Sequence, residues 1–214
     1  MSDPAAARRR MVERQLRARG IEDERVLAAM EVVPREAFVP ERERKKAYAD
    51  SALPIAAEQT ISQPWIVAAV CQALELEGSE LVLEVGTGSG YSAAVLARLA
   101  AHVVSIERHQ SLAEGAGEVL RGLGVGNVEL IVGDGSLGVP ERAPFDAIAV
   151  HAAAPAPPAA LLDQLADEGR LVIPVSGPEA DALTLLRRRP GRVESVVLGP
   201  CRFVPLIGDE GFAG

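Results

Sequence analysis

Five short apolar segments, separated by stretches with helical periodicity, dominate the chain from residue 81 to residue 175. They span residues 81–85, 103–106, 128–132, 147–150 and 171–175. Segments that are apolar nearly throughout are typical of strands buried on both faces of a sheet. Helical patterns lie between several of them, at residues 91–99, 111–123 and 160–165. Because parallel strands joined by helices cross over in a right-handed sense, this alternation predicts a doubly wound, mostly parallel sheet.

The segments on either side of this series complete the predicted α/β fold. Residues 183–186 and 193–204 add two edge strands, the final one antiparallel, which makes a Rossmann-like sheet of seven strands. Before the series, residues 11–19 predict a helix that ends at Gly20, and Asp23 caps a second helix that ends before Pro34. An N-terminal helical extension therefore precedes the sheet, and residues 1–7 are predicted to be disordered.

Composition narrows the nature of the core and of the partners. Hydrophobic residues make up 48% of the 214 residues but aromatic ones only 3%, so the core is mainly aliphatic. The 22 basic residues are outnumbered by 30 acidic ones, and the net charge of -8 disfavours a nucleic-acid substrate. No segment has the length of a membrane span, and no apolar stretch follows the basic run at residues 8–10 as in a signal peptide. We therefore expect a cytoplasmic protein.

Neither a metal site nor a disulfide is indicated by the spacing of cysteine and histidine. Cys71 and Cys201 are far apart and lack a partner at a metal-binding spacing, so both are expected to be core thiols. His102, His109 and His151 also lack ligand spacing and are expected to be surface or strand-end residues.

The strongest candidate for a binding site is a glycine-rich turn after the first strand of the series. Residues 84–90 read Glu-Val-Gly-Thr-Gly-Ser-Gly, and a helix is predicted directly behind them. Glycines let the backbone approach a ligand, and the free N–H groups of the helix favour an anionic group. A dinucleotide fingerprint would have its third glycine at the position of Tyr91, whereas here it is Gly90. The spacing favours a nucleoside with a carboxylate over a pyrophosphate, and a turn that binds nothing is the alternative.

Two acidic residues follow the next two strands at the same edge of the sheet. Glu107 ends the second strand, where a carboxylate can accept hydrogen bonds from both ribose hydroxyls. Asp134 follows the third strand and could accept a hydrogen bond from an adenine amino group. Taken singly, Glu107 could be an exposed strand-end carboxylate and Asp134 a turn residue. Their convergence with the glycine turn at the switch point of the sheet predicts a ligand site.

This arrangement resembles class I S-adenosylmethionine-dependent methyltransferases, and five further segments narrow the resemblance. They are similar, in the same order, to segments of the protein-L-isoaspartate O-methyltransferase family. The segments are residues 53–55 (Leu-Pro-Ile), 59–64 (Gln-Thr-Ile-Ser-Gln-Pro), 145–148 (Phe-Asp-Ala-Ile), 152–155 (Ala-Ala-Ala-Pro) and 202–206 (Arg-Phe-Val-Pro-Leu). The resemblance covers about residues 10 to 208.

The resemblance implies an activity, a cofactor and partners. Members of the family transfer the methyl group of S-adenosylmethionine to the carboxylate of L-isoaspartyl residues in damaged proteins, leaving S-adenosylhomocysteine. The methyl ester then collapses to a succinimide, which reopens partly to normal aspartate. The resemblance also implies that the last two strands are exchanged relative to most methyltransferases. We further expect a monomer. On this interpretation residues 1–64 form the helical extension and an acceptor loop, and residues 65–214 form the cofactor-binding core of one compact domain.

The same resemblance assigns roles to individual residues. Thr60 and Ser62 would lie beside the methyl group and the acceptor as catalytic residues. The residues implied in cofactor binding are Glu84, Gly86, Thr87, Gly88 and Gly90 at the methionine end, Glu107 at the ribose, Asp134 and Gly135 at the adenine, and also Arg108. Ser62 has an alternative role, because a serine two residues before Pro64 is also a candidate helix N-cap.

The chain departs from the family pattern at two places. Residues 56–58 read Ala-Ala-Glu where the family usually has glycine at the first and last position, and His151 replaces a small or hydroxyl-bearing residue. The loop is therefore expected to adopt positive φ less readily. Glu58 would either repel an anionic acceptor or point into solvent. Two other functions stay open at this level: a carboxyl methyltransferase dedicated to one maturing peptide, and a regulatory module that binds the cofactor without catalysis.

Overall fold

A computed structural model describes residues 3–214 of the chain. The strands that build the main sheet follow an N-terminal half rich in helix and short turns. The helices are α1 Pro4–Met11, α2 Glu24–Val32, α3 Pro64–Leu74, α4 Tyr91–Leu96, α5 Gln110–Gly122 and α6 Ala159–Asp163. The strands are β1 Leu53–Pro54, β2 Thr60–Ile61, β3 Leu81–Val85, β4 His102–Glu107, β5 Val128–Val132, β6 Phe145–Val150, β7 Leu165–Val175, β8 Asp181–Arg189 and β9 Arg192–Cys201.

Seven strands form one sheet in the order β5-β4-β3-β6-β7-β8-β9. The first five of these run parallel, which confirms the predicted doubly wound α/β fold. The chain builds outward from β3 to β4 and β5, then returns to the other side of β3 for β6. This reversal places the switch point at the carboxyl ends of β3, β4 and β6, where ligands bind in open α/β sheets.

The direction of the last two strands corrects the sequence prediction. We expected the final strand to be antiparallel, but β8 is the strand that runs against β7. Strand β9 pairs antiparallel with β8 through the tight turn between Arg189 and Arg192, so it again runs with the parallel strands. The turn at Gly191, which has φ of 74°, is too short for a crossover connection. The β7–β8 and β8–β9 hairpins therefore reverse the direction of the chain twice.

Both faces of the central strands β3, β4 and β6 are buried, as expected for parallel strands. Val82 and Val103 belong to a cluster that also takes in the N-terminal helices, whereas Leu83 and Val104 belong to a second cluster. Because successive residues of a strand point to opposite faces, the two clusters are the two layers of the core. Their aliphatic composition follows the prediction from the sequence. Cys71 is a buried free thiol, whereas Cys201 is free but only partly buried.

The N-terminal extension is more ordered than predicted. Residues 3–7 were expected to be disordered, but Asp3 accepts a hydrogen bond from Ala5 N and caps α1. Residues 1 and 2 of the predicted disordered stretch lie outside the described part of the chain. Helical turns continue beyond α1 as a π-helix, Val12–Leu16, and a 3-10 helix, Arg17–Arg19, which ends at Gly20 with φ of 89° as predicted. The cap at Asp23 is also confirmed. Among residues 3–214, no helix combines the length and apolar character needed to cross a membrane.

The extension also packs on the first helix behind the glycine turn. Phe38 meets Tyr91 edge to face, with 5.7 Å between the ring centroids, and the buried Arg35 guanidinium lies 4.8 Å from the same ring. Burial raises the pKa of Tyr91 to about 12, although the nearby charge of Arg35 lowers it. Tyr91 is therefore a neutral phenol that ties the extension to the start of α4.

Candidate active site

An open cleft lies at the predicted switch point, above the carboxyl ends of β3, β4 and β6. Its volume is about 790 Å³ when space open to solvent is included. Eight of the eleven residues singled out in the sequence line this cleft. They are Thr60, Ser62, Gly86, Thr87, Gly88, Glu107, Arg108 and Gly135. Glu84, Gly90 and Asp134 are not among the lining residues, although each is next in the sequence to a residue that lines the cleft.

The glycine turn owes its shape to left-handed backbone at alternate residues. Gly86, Gly88 and Gly90 have φ of 92°, 53° and 86°, which glycine adopts without cost. Gly90 also brings two helices together, because a Cβ there would stand 3.0 Å from the Cβ of Ala116 in α5. Gly86 and Gly88 thus shape the wall of the cleft, and Gly90 sets the packing behind it.

Glu107 is held at the end of β4 by two backbone N–H groups. Gly88 N donates to Oε2 over 2.9 Å and His109 N donates to Oε1 over 3.0 Å. The residue is 6% exposed yet lines the cleft. Each carboxylate oxygen can accept more than one hydrogen bond, so both retain acceptor capacity toward a ligand. The glycine turn and the acidic residue are therefore one hydrogen-bonded unit, as a diol-binding site requires.

Asp134 is engaged by its own neighbours rather than aimed into the cleft. Oδ1 accepts hydrogen bonds from Ser136 N and Ser136 Oγ, and Oδ2 accepts one from Asp209 N. Partial burial would raise the pKa of Asp134, but these hydrogen bonds and the nearby charge of Arg108 lower it. The residue caps the turn that follows it and anchors the C-terminal segment. Its predicted contact with adenine remains a prediction.

Gly135 lies directly beside Asp134 and does line the cleft. A Cβ at Gly135 would stand 2.6 Å from Cγ1 of Val85, which is closer than side chains tolerate. Glycine is required here by space alone, since its φ lies outside the left-handed region. Glycine therefore lets the backbone at residue 135 pack closely against Val85 and Ile106, and all three residues line the cleft.

The predicted acceptor residues lie on a small hairpin that closes the cleft. Strands β1 and β2 pair antiparallel, with Leu53 opposite Ile61, and Thr60 and Ser62 both line the cleft. The residue that precedes α3 is Gln63, and no side chain caps this helix. Ser62 is therefore not the N-cap that the sequence allowed as an alternative, and its position on the cleft supports the role implied by the resemblance.

A buried polar network beneath the cleft was missed by the analysis of the sequence. Glu84 is fully buried, and its Oε2 accepts a hydrogen bond of 2.5 Å from Ser105 Oγ, which lies 2.6 Å from Thr87 Oγ1. On the other side, His151 Nε2 lies 2.7 Å from Ser92 Oγ. His151 directly follows β6, so the rule that strand ends share one rim could have placed it here.

The fold and the site define a class: a Rossmann-like protein whose glycine turn and strand-end carboxylate form a nucleoside cleft. The family model described as protein-L-isoaspartate(D-aspartate) O-methyltransferase matches residues 7–211. The chain belongs to this family.

Similar proteins and structures agree with that assignment. The protein-L-isoaspartate O-methyltransferase of Methylorubrum populi is 57% identical over 210 residues, covering 98% of this chain and 99% of the relative. The enzyme of the same name from Koribacter versatilis is 53% identical over 209 residues, covering 98% and 94%. A solved protein-L-isoaspartate O-methyltransferase has a TM-score of 0.85 at 29% identity, covering 95% of this chain and 67% of that one. Another, from Plasmodium falciparum in complex with S-adenosyl-L-homocysteine, has a TM-score of 0.81 at 25% identity, covering 94% and 98%.

Proposed function

We propose that this chain methylates the carboxylate of L-isoaspartyl residues in damaged proteins, using S-adenosylmethionine, and so initiates their repair. The observation that carries the proposal is the joining of two sites in one cleft. Glu107, fixed by Gly88 N, lines the part of the cleft that would hold the nucleoside, and Thr60 and Ser62 of the hairpin line the same cleft. The relatives that match nearly the whole chain have this activity in their names.

The residues of the cleft fit S-adenosylmethionine. Glu107 retains acceptor capacity for a ribose diol, and Val85, Ile106 and Gly135 line the cleft with a surface on which a flat ring can lie. Thr87, Gly86 and Arg108 complete the wall on the side of the glycine turn. When bound, the cofactor supplies an electrophilic methyl group on a sulfonium sulfur, which is a good leaving group.

Alignment is the main task of the protein in this reaction, because the acceptor needs no base. A carboxylate with a pKa near about 4 is already ionised at neutral pH. The hydroxyls of Thr60 and Ser62 can donate hydrogen bonds that orient one carboxylate oxygen in line with the methyl group and the sulfur. Alignment of this kind contributes on the order of 7 to 11 kcal/mol in intramolecular reactions.

The product ester explains why methylation leads to repair. Methanol leaves more readily than hydroxide, so the backbone nitrogen of the following residue can attack the ester carbonyl and close a succinimide. Water then opens this ring at either carbonyl, and part of the chains regain a normal aspartyl linkage. The protein is needed for the first step only.

The test offers labelled S-adenosylmethionine with two peptides that differ only in an isoaspartyl or an aspartyl linkage. We expect base-labile methanol from the isoaspartyl peptide at a rate at least about a hundredfold above that from its partner, since misplacement of the reacting atoms costs about that factor. Glu107→Ala serves as the variant in which cofactor binding is weakened. Equal labelling of the two peptides, or labelling of neither, would contradict the proposal.

The proposal also includes a monomer that acts in the cytoplasm on protein substrates and not on nucleic acid. The net charge of -8 supports the last point, because the chain as a whole repels a phosphate backbone. Light scattering of the purified chain tests the monomer, and a filter-binding assay with RNA and DNA at low salt tests the absence of nucleic-acid binding.

A further inference from the structure

An imidazole stands between the buried carboxylate of Glu84 and the cleft. His151 lines the cleft, and Glu84, which is fully buried, does not. His151 Nε2 lies 3.4 Å from Glu84 Oε1, an oxygen that accepts no hydrogen bond from the described residues. The electric field of a charge at Glu84 therefore acts on the cleft through the ring of His151.

The two polar neighbours of His151 approach the same ring nitrogen. Ser92 Oγ lies 2.7 Å from Nε2, and Glu84 Oε1 is the second neighbour of that atom. A nucleophilic triad needs one partner on each ring nitrogen, so this cluster does not activate Ser92. When Nε2 carries no proton it accepts from the serine hydroxyl, and Glu84 Oε1 is left without a donor. When the ring is an imidazolium, its charge lies beside the carboxylate and cancels it.

We propose that His151 is a positioning residue whose protonation sets the charge presented to the methionine end of the cofactor. Neutral His151 leaves the negative charge of Glu84 uncompensated beneath the cleft, and this favours the cationic S-adenosylmethionine. Protonated His151 removes that attraction. The inference rests on the proposed function and adds to it a dependence of cofactor affinity on pH, since imidazole changes charge between pH 5 and 8.

The other charged groups around His151 do not provide the same switch. Glu107, Arg108 and His109 line the same cleft from the end of β4, and the C-terminal segment adds only apolar residues there. Cys71 on α3 is the remaining titratable group beside Glu84, and burial, with the charge of Glu84 adding to it, raises the pKa of its thiol far above neutral. His109 is thus the one other imidazole on the cleft among the described residues, which makes it the matched control.

The test measures affinity by titration calorimetry at about pH 5.5 and about pH 7.5, which bracket the ordinary titration of imidazole. We expect S-adenosylmethionine to bind about tenfold more weakly at the lower pH. Tenfold corresponds to about 1.4 kcal/mol, the energy of two unit charges about 12 Å apart at an effective dielectric of 20. S-adenosylhomocysteine lacks the sulfonium charge and should lose clearly less affinity.

Variants assign the effect to His151. In His151→Gln the affinity for S-adenosylmethionine should be nearly the same at both pH values, whereas His109→Gln should keep the tenfold loss. If circular dichroism shows that His151→Gln is unfolded, His151→Ser is used in its place. Calorimetry of the unaltered chain in two buffers of different ionisation enthalpy should show a proton released on binding near pH 6.5, and none released by His151→Gln.

The outcomes separate this inference from the proposed function. A tenfold loss that persists in His151→Gln would overturn it, as would a loss for S-adenosylhomocysteine equal to that for S-adenosylmethionine. Absence of S-adenosylmethionine binding by the unaltered chain at both pH values would instead contradict the proposed function. The amino group of S-adenosylmethionine is the same for every variant, so its own titration cancels when His151→Gln is compared with the unaltered chain.

Discussion

Two turns that flank the cleft both contain left-handed backbone, and they are built from different residues. In the glycine turn, Gly86 and Gly88 have φ of 92° and 53°. In the turn of the hairpin, Ala57 and Glu58 have φ of 53° and 57°. Glycine adopts this region freely, whereas an L-residue pays roughly 1–2 kcal/mol. The left-handed conformation is therefore unstrained in the glycine turn and strained in the turn of the hairpin.

The surroundings of the two turns explain why the strain is tolerated in only one of them. Ala57 and Glu58 are exposed, so their side chains meet solvent and the cost is confined to the backbone. A side chain at Gly88 would enter the space between the glycine turn and Ile55, whose Cδ1 lies 3.8 Å from the position of a Cβ. A residue in the wall of a binding site must suit both the backbone conformation and the space available for its side chain. A residue in an exposed turn must suit only the backbone conformation.

The largest effect is expected from Gly88→Val. The β-branched side chain should both strain the turn and fill the cleft, and we expect binding of S-adenosylmethionine to fall below detection by calorimetry. Gly124→Val is the matched control, because Gly124 has φ of 70° and no atom within 4 Å of the position of a Cβ. The control should lose stability by about 1–2 kcal/mol but keep its affinity.

Equal loss of affinity in the two valine variants would contradict this expectation. The binding defect would then come from general destabilisation, and the distinction between backbone and space at the glycine turn would fail. Urea unfolding of both variants gives the stability change needed for the comparison.

Glu107→Ala tests whether the glycine turn works together with the carboxylate that holds it. Loss of charge-assisted hydrogen bonds should weaken S-adenosylmethionine by roughly 1.5 to 3 kcal/mol, or about 10- to 150-fold. Glu129→Ala is the control, since Glu129 lies on the neighbouring strand β5 and pairs with Arg142 outside the cleft. A change of less than about threefold for Glu107→Ala would remove this residue from the site.

Ser62→Ala tests the other side of the cleft and should have a smaller effect. Loss of one hydrogen bond to the acceptor should lower kcat by about tenfold and leave the Kd for S-adenosylmethionine unchanged. Ser111→Ala, at an exposed position in the first turn of α5, should behave like the unaltered chain. If the Kd changes and kcat does not, Ser62 contacts the cofactor rather than the acceptor.

The two turns also show how far the sequence predicts this molecule. The glycine turn was predictable because glycine is the residue that adopts positive φ freely. The turn also follows a buried strand directly, which fixes its position on the sheet. The hairpin turn was not, because alanine and glutamate at residues 56–58 suggested a backbone that avoids positive φ. Pairing of Leu53 with Ile61 forces the chain to reverse there whatever the residues between them.

Contacts that depend on three-dimensional packing could not be predicted from the sequence either. His151 was expected to be an ordinary strand-end residue, and only the register of β3 with β6 brings it to Glu84. The hairpin of β8 and β9 likewise follows from a tight turn at Gly191, which the apolar pattern of these strands does not encode. Periodicity specifies which faces are buried but not which neighbours meet.

The smallest effect is expected from Glu58→Gly, and its sign sharpens the comparison of the two turns. Relief of the left-handed strain exceeds the greater freedom of glycine in the unfolded chain, so we expect a gain in stability of up to about 1 kcal/mol. Ala56→Gly is the matched control, because Ala56 is not among the residues with positive φ, and it should lose about 0.5–1 kcal/mol.

Urea unfolding measures both changes, and the KM for an isoaspartyl peptide adds a second test of Glu58. Its side chain is exposed and does not line the cleft, so the repulsion of an acceptor considered from the sequence is not expected, and KM should stay the same in Glu58→Gly. Destabilisation by this variant would mean that the glutamate stabilises the turn by more than its backbone costs. A lower KM would place its carboxylate near the acceptor after all, and the hairpin turn would then carry specificity as well as strain.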